Sequence, residues 1–205
     1  MSDRFGLLAK RCVDILLATV GIVVLSPLLL GVAIAIRLTS KGPVFYRGIR
    51  SGRFGRKFRV FKFRTMIENA EQVGGPSTGQ NDPRVTRVGG FLRKFKIDEL
   101  PNLINVLRGE MSIVGPRPEV PRYTDQYVGE EKIILSVRPG ITDLSSIEFI
   151  DLASHIGAED VDATFEREVL PRKNALRVRY VKTRTFWGDI KIIYMTLLRM
   201  VRRGR

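Results

Sequence analysis

Hydrophobic and polar positions are spread very unevenly along this chain. Ile15 to Ile36 is a run of 22 residues without a charge, about 33 Å long as an α-helix and enough to cross a hydrocarbon core. A buried helix of a soluble domain seldom needs so long an uncharged stretch, and no small-residue cleavage site makes the run a signal peptide. Ser26-Pro27 falls near its middle, where proline removes a backbone donor and kinks or breaks a helix. The arm before it, Ile15 to Leu25, measures about 16 Å, half of a bilayer core. Lys10 and Arg11 precede the run, and Arg37, Lys41, Arg47 and Arg50 follow it. The positive-inside rule places both flanks on the cytoplasmic side, which a straight span cannot satisfy. A re-entrant helix turning back at Ser26-Pro27 satisfies it, with the Ser26 hydroxyl on hand for a freed carbonyl. On this pattern alone a straight span stays open.

Beyond the run, no stretch is long enough to span. Gly42-Pro43, Gly48, Gly52 and Gly55 mark turns, and Lys57 to Arg64 predicts a strand or hairpin arm. Its alternation slips between Val60 and Phe61, which predicts a bulge or a strand covered on both faces. Gly74 to Pro83 is a polar, turn-rich loop. Phe91 to Ile97 predicts a short helix or turn that leads into an acidic pair. Pro101 to Arg108 predicts a helix, with Leu103, Ile104, Val106 and Leu107 at helical spacing, Pro101 in the first turn and Gly109 just past the end. Residues 151–170 read as a solvated, acidic helical region. In Asp189 to Arg205 apolar residues nearly encircle a helix with a basic end, which suits either an interfacial helix or a core helix with a basic tail. The elements add up to an α+β fold, mainly helical, with a small β element and interfacial amphipathic helices. Residues 1–40 form the membrane helix and residues 41–205 one integrated unit.

Charge sharpens this picture. The 205 residues carry 35 Lys+Arg against 21 Asp+Glu, a formal +14, which points to an anionic partner: nucleic acid, a membrane surface or a phosphorylated substrate. Nine bases lie between Lys41 and Met66, interleaved with aromatic residues, and no carboxylate occurs between Asp14 and Glu68. Beside a membrane segment, anionic headgroups or a phosphorylated substrate are simpler partners than nucleic acid. One cysteine, Cys12, excludes an internal disulfide, and one histidine, His155, excludes zinc sites built on several His and Cys ligands. Chemistry falls mainly to carboxylates, hydroxyls, Lys and Arg.

Two segments could carry it. Asp98-Glu99 lies just ahead of the helix that Pro101 helps start. Either carboxylate could simply cap that helix; the functional reading is an ionised carboxylate beside a phosphate site. In Ser112-Ile-Val-Gly115-Pro116-Arg117-Pro118 two prolines hold Arg117 in a nearly fixed backbone. Its guanidinium is either incidental to a rigid turn or a bidentate grip on phosphate.

Together these residues resemble the monotopic phosphoglycosyl transferases, bacterial sugar transferases that start glycan assembly on a polyprenol carrier. The resemblance runs nearly the whole length. It is carried by Lys10-Arg11 with Asp14, Ser26-Pro27, Gly42-Pro43-Val-Phe-Tyr-Arg47, Phe58-Arg-Val-Phe-Lys62-Phe-Arg64-Thr-Met66 and Thr86-Arg-Val-Gly89. It continues through Ile97-Asp98-Glu99-Leu-Pro101 to Ser112, then Gly115-Pro-Arg117-Pro118 and Arg138-Pro-Gly140-Ile-Thr142.

The resemblance implies transfer of a sugar 1-phosphate from a UDP-sugar to polyprenyl (undecaprenyl) phosphate, giving polyprenyl-diphosphate-sugar and UMP. It implies Asp98 as nucleophile through a covalent phosphosugar ester, with Glu99 in support. It implies Mg2+ held in part by Asp98, phosphate and nucleotide contacts from Arg93, Arg117 and Pro118, and Lys62 and Arg64 as wall and headgroup charges. It implies the re-entrant topology and a catalytic part on the cytoplasmic face of the bacterial inner membrane. The partners are then the UDP-sugar, polyprenyl phosphate and inner-leaflet lipids, without nucleic acid and with homo-oligomerisation left open. After Thr142 many members continue with Gly and, shortly after, Gln, whereas this chain has Asp143-Leu-Ser-Ser146; Gly48 stands where members often have Gln. Both departures are read as changes in sugar or lipid selection or as neutral loop substitutions. The rival reading is a non-catalytic, membrane-anchored basic protein that holds acidic lipid or nucleic acid. It leaves Asp98, Glu99 and Arg117 without a use.

Overall fold

A computed structural model describes residues 2–73, 82–149 and 161–203. The chain is mainly helical, with three two-stranded ladders among the described residues. In order, α1 (Ser2–Thr39) leads into β1 (Phe45–Tyr46), β2 (Ile49–Ser51), β3 (Lys57–Arg59) and β4 (Lys62–Phe63). Then come α2 (Ala70–Val73), α3 (Arg87–Lys94), α4 (Asn102–Leu107), β5 (Ser112–Val114), α5 (Pro121–Thr124), β6 (Gly140–Thr142) and α6 (Leu144–Glu148). The chain ends with α7 (Val161–Thr164), a π-helical turn (Phe165–Val169), α8 (Leu170–Thr183) and α9 (Phe186–Arg203). His155, most of the predicted Gly74–Pro83 loop and the first part of the acidic 151–170 region lie outside the described residues.

Among the described residues α1 is the one helix long and apolar enough to cross a membrane. At Ser26-Pro27, where a kink or break was expected, the helical hydrogen-bond pattern of α1 continues through Pro27. Proline cannot donate to the carbonyl of Val23, four residues back. The Ser26 hydroxyl donates to that carbonyl at 2.8 Å instead, so the ladder loses a bond without leaving an orphan acceptor.

Both ends of the apolar run are fastened to the same body. Before it, Lys10 Nζ donates to the Val114 carbonyl at 3.1 Å and pairs with Asp189 Oδ2 at 2.5 Å. Arg11 Nη2 donates at 2.7 Å to the Val106 carbonyl at the C-terminal end of α4, which also accepts the Gly109 N–H at 3.0 Å. Asp14, buried on α1, accepts from Ser112 Oγ at 2.7 Å and from the Ile113 N–H at 3.0 Å. Ala18 packs with Phe58, Val60, Leu103, Val106 and Met111. Beyond Pro27, Val32 and Ile36 pack with Phe63 and Leu92. Leu16, Val20, Val23, Val24 and Leu30 on the same helix stay exposed.

The hairpin arm forms as the alternation predicts, and it is interrupted where the alternation slips. β3 pairs antiparallel with β2 and β4 with β1, while Val60 and Phe61 lie between them, both buried. The Phe61 N–H donates to Asn105 Oδ1 of α4 at 2.8 Å instead of to a strand. Phe61 lies between two cations: the guanidinium carbons of Arg47 and Arg108 are 3.7 and 4.7 Å from its ring centre. Part of the basic and aromatic stretch is therefore spent inside the protein.

A second β element was not expected. β5 and β6 pair in parallel, Ser112 opposite Gly140 and Val114 opposite Thr142. Gly115 and Gly140 meet backbone to backbone, so that a methyl group on either would collide with main-chain atoms beside the other. At these two positions glycine serves close approach of the two strands. α9 is divided between uses: Ile192 is buried against Val114, Tyr180 and Val181, while Trp187, Tyr194 and Leu197 are exposed. In the acidic region Phe165 and Val169 pack under Tyr123, so its described part is a packed helix and not wholly solvated.

Two stability predictions follow from buried charges. Asp14→Ala strands two buried donors, so it should cost about 2 kcal/mol and lower Tm by about 4–8 °C in thermal unfolding. Lys173 on α8 is buried with its Nζ 5.2 Å from the Phe165 ring centre, and burial pushes its pKa down from 10.5 to about 8. Between those values the unfolded chain binds more protons, so stability should rise with pH through that window. Lys173→Met should raise Tm near pH 7, with the gain shrinking toward pH 10; a loss at pH 7 would contradict it.

Candidate active site

The site forms where α3 hands over to α4. Thr86 starts α3 by accepting the Gly89 N–H at 2.9 Å. The helix stops at Lys96, a non-glycine residue in the left-handed region at φ 57°. A short 3-10 turn, Ile97–Glu99, then turns both carboxylates inward, leaving Asp98 6% and Glu99 7% exposed. Neither caps α4, which begins at Pro101 without a side-chain hydrogen bond, so the capping alternative does not hold.

The two carboxylates are treated differently. Glu99 is fully engaged: Arg117 Nη1 donates to Oε2 at 2.8 Å, Nη2 donates to Oε1, and Lys62 Nζ donates to Oε1 at 3.0 Å. Burial alone would raise its pKa, but Arg117 and Lys62 hold it well below the ordinary carboxylate value. Arg117 is correspondingly raised, chiefly by Glu99. Asp98 has Lys62 Nζ 3.7 Å from Oδ2, beyond hydrogen-bond reach, and its buried Oδ1 has no partner. Burial pushes Asp98 up, with Lys62 the strongest opposing charge.

Cations surround this pair. Arg93 Nε donates to Thr65 Oγ1 at 2.8 Å. Burial lowers its pKa, and Asp98 is the strongest charge opposing that shift. Lys96 is likewise lowered by burial, opposed first by Glu99. A cleft of about 100 Å³ opens beside them, lined by Arg50, Lys62, Asn102, Arg117, Pro118 and Gly140 among others. Asn102, 3% exposed, has no partner for its buried Oδ1. Among the described residues no three His, Cys, Asp or Glu side chains cluster as metal ligands. Asp98 Oδ1, buried and without a partner, is one carboxylate oxygen left over for a cation that takes its remaining ligands from water and phosphate.

Of the residues singled out in the sequence, Asp98, Glu99, Lys62 and Arg117 come together, Pro118 lines the cleft and Arg93 is in electrostatic reach. Arg64 is not brought there. Its guanidinium donates to the carbonyls of Ser40, Lys41 and Pro43 and to Ser40 Oγ, closing the turn after α1. Ser26 and Pro27 stay within α1. Sequence reasoning missed Lys96 and Asn102. A left-handed lysine leaves no periodic mark, and the only signal for Asn102 was its place four residues after Asp98. Asp143, one of the departures from the family pattern, is buried and accepts the Arg117 backbone N–H.

Comparison with known proteins agrees with this geometry. Residues 5–203 match the family model for bacterial sugar transferases. The chain is 39% identical over 191 residues to a UDP-N-acetylgalactosamine-undecaprenyl-phosphate N-acetylgalactosaminephosphotransferase of Aeromonas hydrophila, covering 92% of this chain and 42% of that protein. It is 39% identical over 197 residues to the UDP-glucose:undecaprenyl-phosphate glucose-1-phosphate transferase of Escherichia coli K12, covering 94% and 40%. A Caulobacter vibrioides protein of that same name is 38% identical over 193 residues, covering 93% and 68%. The chain thus spans about two fifths of the first two relatives. Because the match extends across α1, the carboxylate turn and the Arg117 segment alike, the chain belongs to the bacterial sugar transferase family.

Proposed function

We propose that this protein transfers a sugar 1-phosphate from a UDP-sugar to undecaprenyl phosphate, releasing UMP. The observation that carries the reading is the inequality of the two carboxylates: Glu99 is locked by Arg117 and Lys62, while Asp98 is buried among cations with an oxygen free. The names of the relatives, which specify UDP-sugars and undecaprenyl phosphate, support the substrate class.

In the first step an Asp98 oxygen attacks the sugar-linked phosphorus of the donor. The bond from that phosphorus to the bridging oxygen breaks, and UMP leaves with the electron pair. In the second step an oxygen of the lipid phosphate attacks the same phosphorus and Asp98 is released as a carboxylate. No histidine is needed, because phosphoryl transfer depends on alignment and charge stabilisation. Lys62, Lys96 and Arg93 compensate the diphosphate charge around Asp98, and Asn102, whose buried Oδ1 has no partner, lines the adjoining cleft with Lys62 and Arg117. Magnesium, when bound, would neutralise diphosphate charge, with Asp98 as its protein ligand.

The fastening of α1 supports a re-entrant arrangement. A straight span would carry Lys10 and Ile36 to opposite faces of the bilayer, about 39 Å apart along the helix. Both flanks instead pack on one body, so we read α1 as entering and leaving on the cytoplasmic side. A basic anchor that only binds acidic lipid would have no use for the buried carboxylates.

Two experiments test the reading. In detergent, with undecaprenyl phosphate, magnesium and a panel of UDP-sugars, the protein should release UMP with one donor. Asp98→Asn and excess EDTA should each cut release by at least about 1000-fold, as expected for removal of a covalent nucleophile or its charge partner; near-normal turnover by Asp98→Asn would refute it as nucleophile. For topology, a tag at Met1 should be shielded from periplasmic reagents in intact cells. Labelling of that tag while the catalytic part stays protected would exclude the re-entrant arrangement.

A further inference from the structure

Behind Arg117 lies a second, buried layer of charge for which the reaction has no direct use. The Arg117-Pro118-Glu119 segment is gripped from both sides. On the cleft side, Glu99 takes the Arg117 guanidinium. From behind, Asp143 Oδ2 accepts the Arg117 backbone N–H at 3.1 Å, and Glu119 Oε1 accepts Arg177 Nη2 at 2.6 Å. Asp143 and Arg177 are each 1% exposed. Asp143 is fixed by its own short loop: Oδ1 accepts the Ser146 N–H at 2.6 Å, capping α6, and Oδ2 accepts from Ser145 Oγ at 2.7 Å. Arg177, on α8, sets Nε 3.7 Å from Asp143 Oδ2 and donates from Nη1 to Asn174 Oδ1 at 3.1 Å. One guanidinium thus faces two carboxylates that hold the segment before and after Pro118.

A buried ion network of this kind is weak support for stability, because apolar residues would fill the same space at no loss. What it does supply is direction. The Asp143 bond fixes the Arg117 main chain, Glu119 fixes the residue after Pro118, and the proline between them removes most backbone freedom. The Arg117 side chain then starts from a fixed main chain, from which its guanidinium reaches Glu99.

We propose that Asp143 and Arg177 are positioning residues, which aim Arg117 at Glu99 and so keep Glu99 occupied and Asp98 free. The proposal rests on the reaction given above. Neither residue touches substrate; both act through Arg117.

The test is a double-mutant cycle on the full chain in detergent, read by UMP release, together with hydrogen exchange of the backbone across residues 115–119. Asp143→Ala should lower kcat/KM about tenfold or more, while Asp143→Asn, which keeps one acceptor oxygen for the Arg117 N–H but sets an amide donor against the Ser146 N–H, should lose less. In an Arg117→Ala background, Asp143→Ala should change the remaining rate by less than about twofold, because its effect passes through the missing side chain. Exchange at 115–119 should quicken in Asp143→Ala and less so in Asp143→Asn. Equal losses in both backgrounds, or unchanged exchange, would overturn the proposal. If Asp143→Ala fails to fold, Arg177→Lys, which keeps the charge but loses the fork between the carboxylates, enters the same cycle. Silence of the wild type with every donor would sink the reaction and leave the clamp to be decided by exchange.

Discussion

Glu99 is buried as a charged group because Arg117, itself half-buried, pairs with it, and that pairing sets the terms for everything near it. A lone carboxylate at this depth would take up a proton, and a lone guanidinium would draw in water or another partner. Once they hold each other, with Lys62 added on the same oxygen, the neighbouring Asp98 is surrounded by positive charge without being bonded by it. The inequality between adjacent residues is what the proposed chemistry uses. It also explains why so basic a chain keeps an acidic pair at its centre: the excess charge is arranged around a place that an anionic donor can fill.

The same economy appears along α1. A membrane segment is usually pictured as joined to its soluble part by a linker, yet here Lys10, Arg11 and Asp14 reach into α4 and β5, while Val32 and Ile36 close over β4 and α3. Arg64, spent on the carbonyls of Ser40 to Pro43, locks the turn that follows. Of the basic residues that flank the apolar run, Arg11 is also a donor to carbonyls at the C-terminal end of α4.

Much of this was legible in the chain. α4 could be read from its apolar spacing between Pro101 and Gly109, and the interrupted hairpin from the slip at Val60 and Phe61, where Asn105 takes the strand's N–H. The adjacency of Asp98 and Glu99 marked the site. Other features were hidden for physical reasons. β5 and β6 are three residues each and meet from distant parts of the chain, so neither has a period to detect. Arg64 and Arg117 both sit in short, constrained segments, and nothing local tells a guanidinium whether carbonyls or a carboxylate will be waiting. Proline in an apolar run marks where the ladder loses a bond, but not that a preceding serine takes over the abandoned carbonyl, as Ser26 does for Val23. The roles of Asp143 and Arg177 depend on contacts across the fold, which no window of sequence contains.

The contacts on α1 also decide how the protein can be handled. Since Ala18, Val32 and Ile36 are buried core residues, cutting the helix away would unroof Leu103, Val106, Phe63 and Leu92 and strand the donors of Ser112 and Ile113. The anchor is not a detachable handle. A water-soluble remnant lacking it would expose a slot shaped for a helix, and a detergent or a neighbouring chain would be the first to fill it.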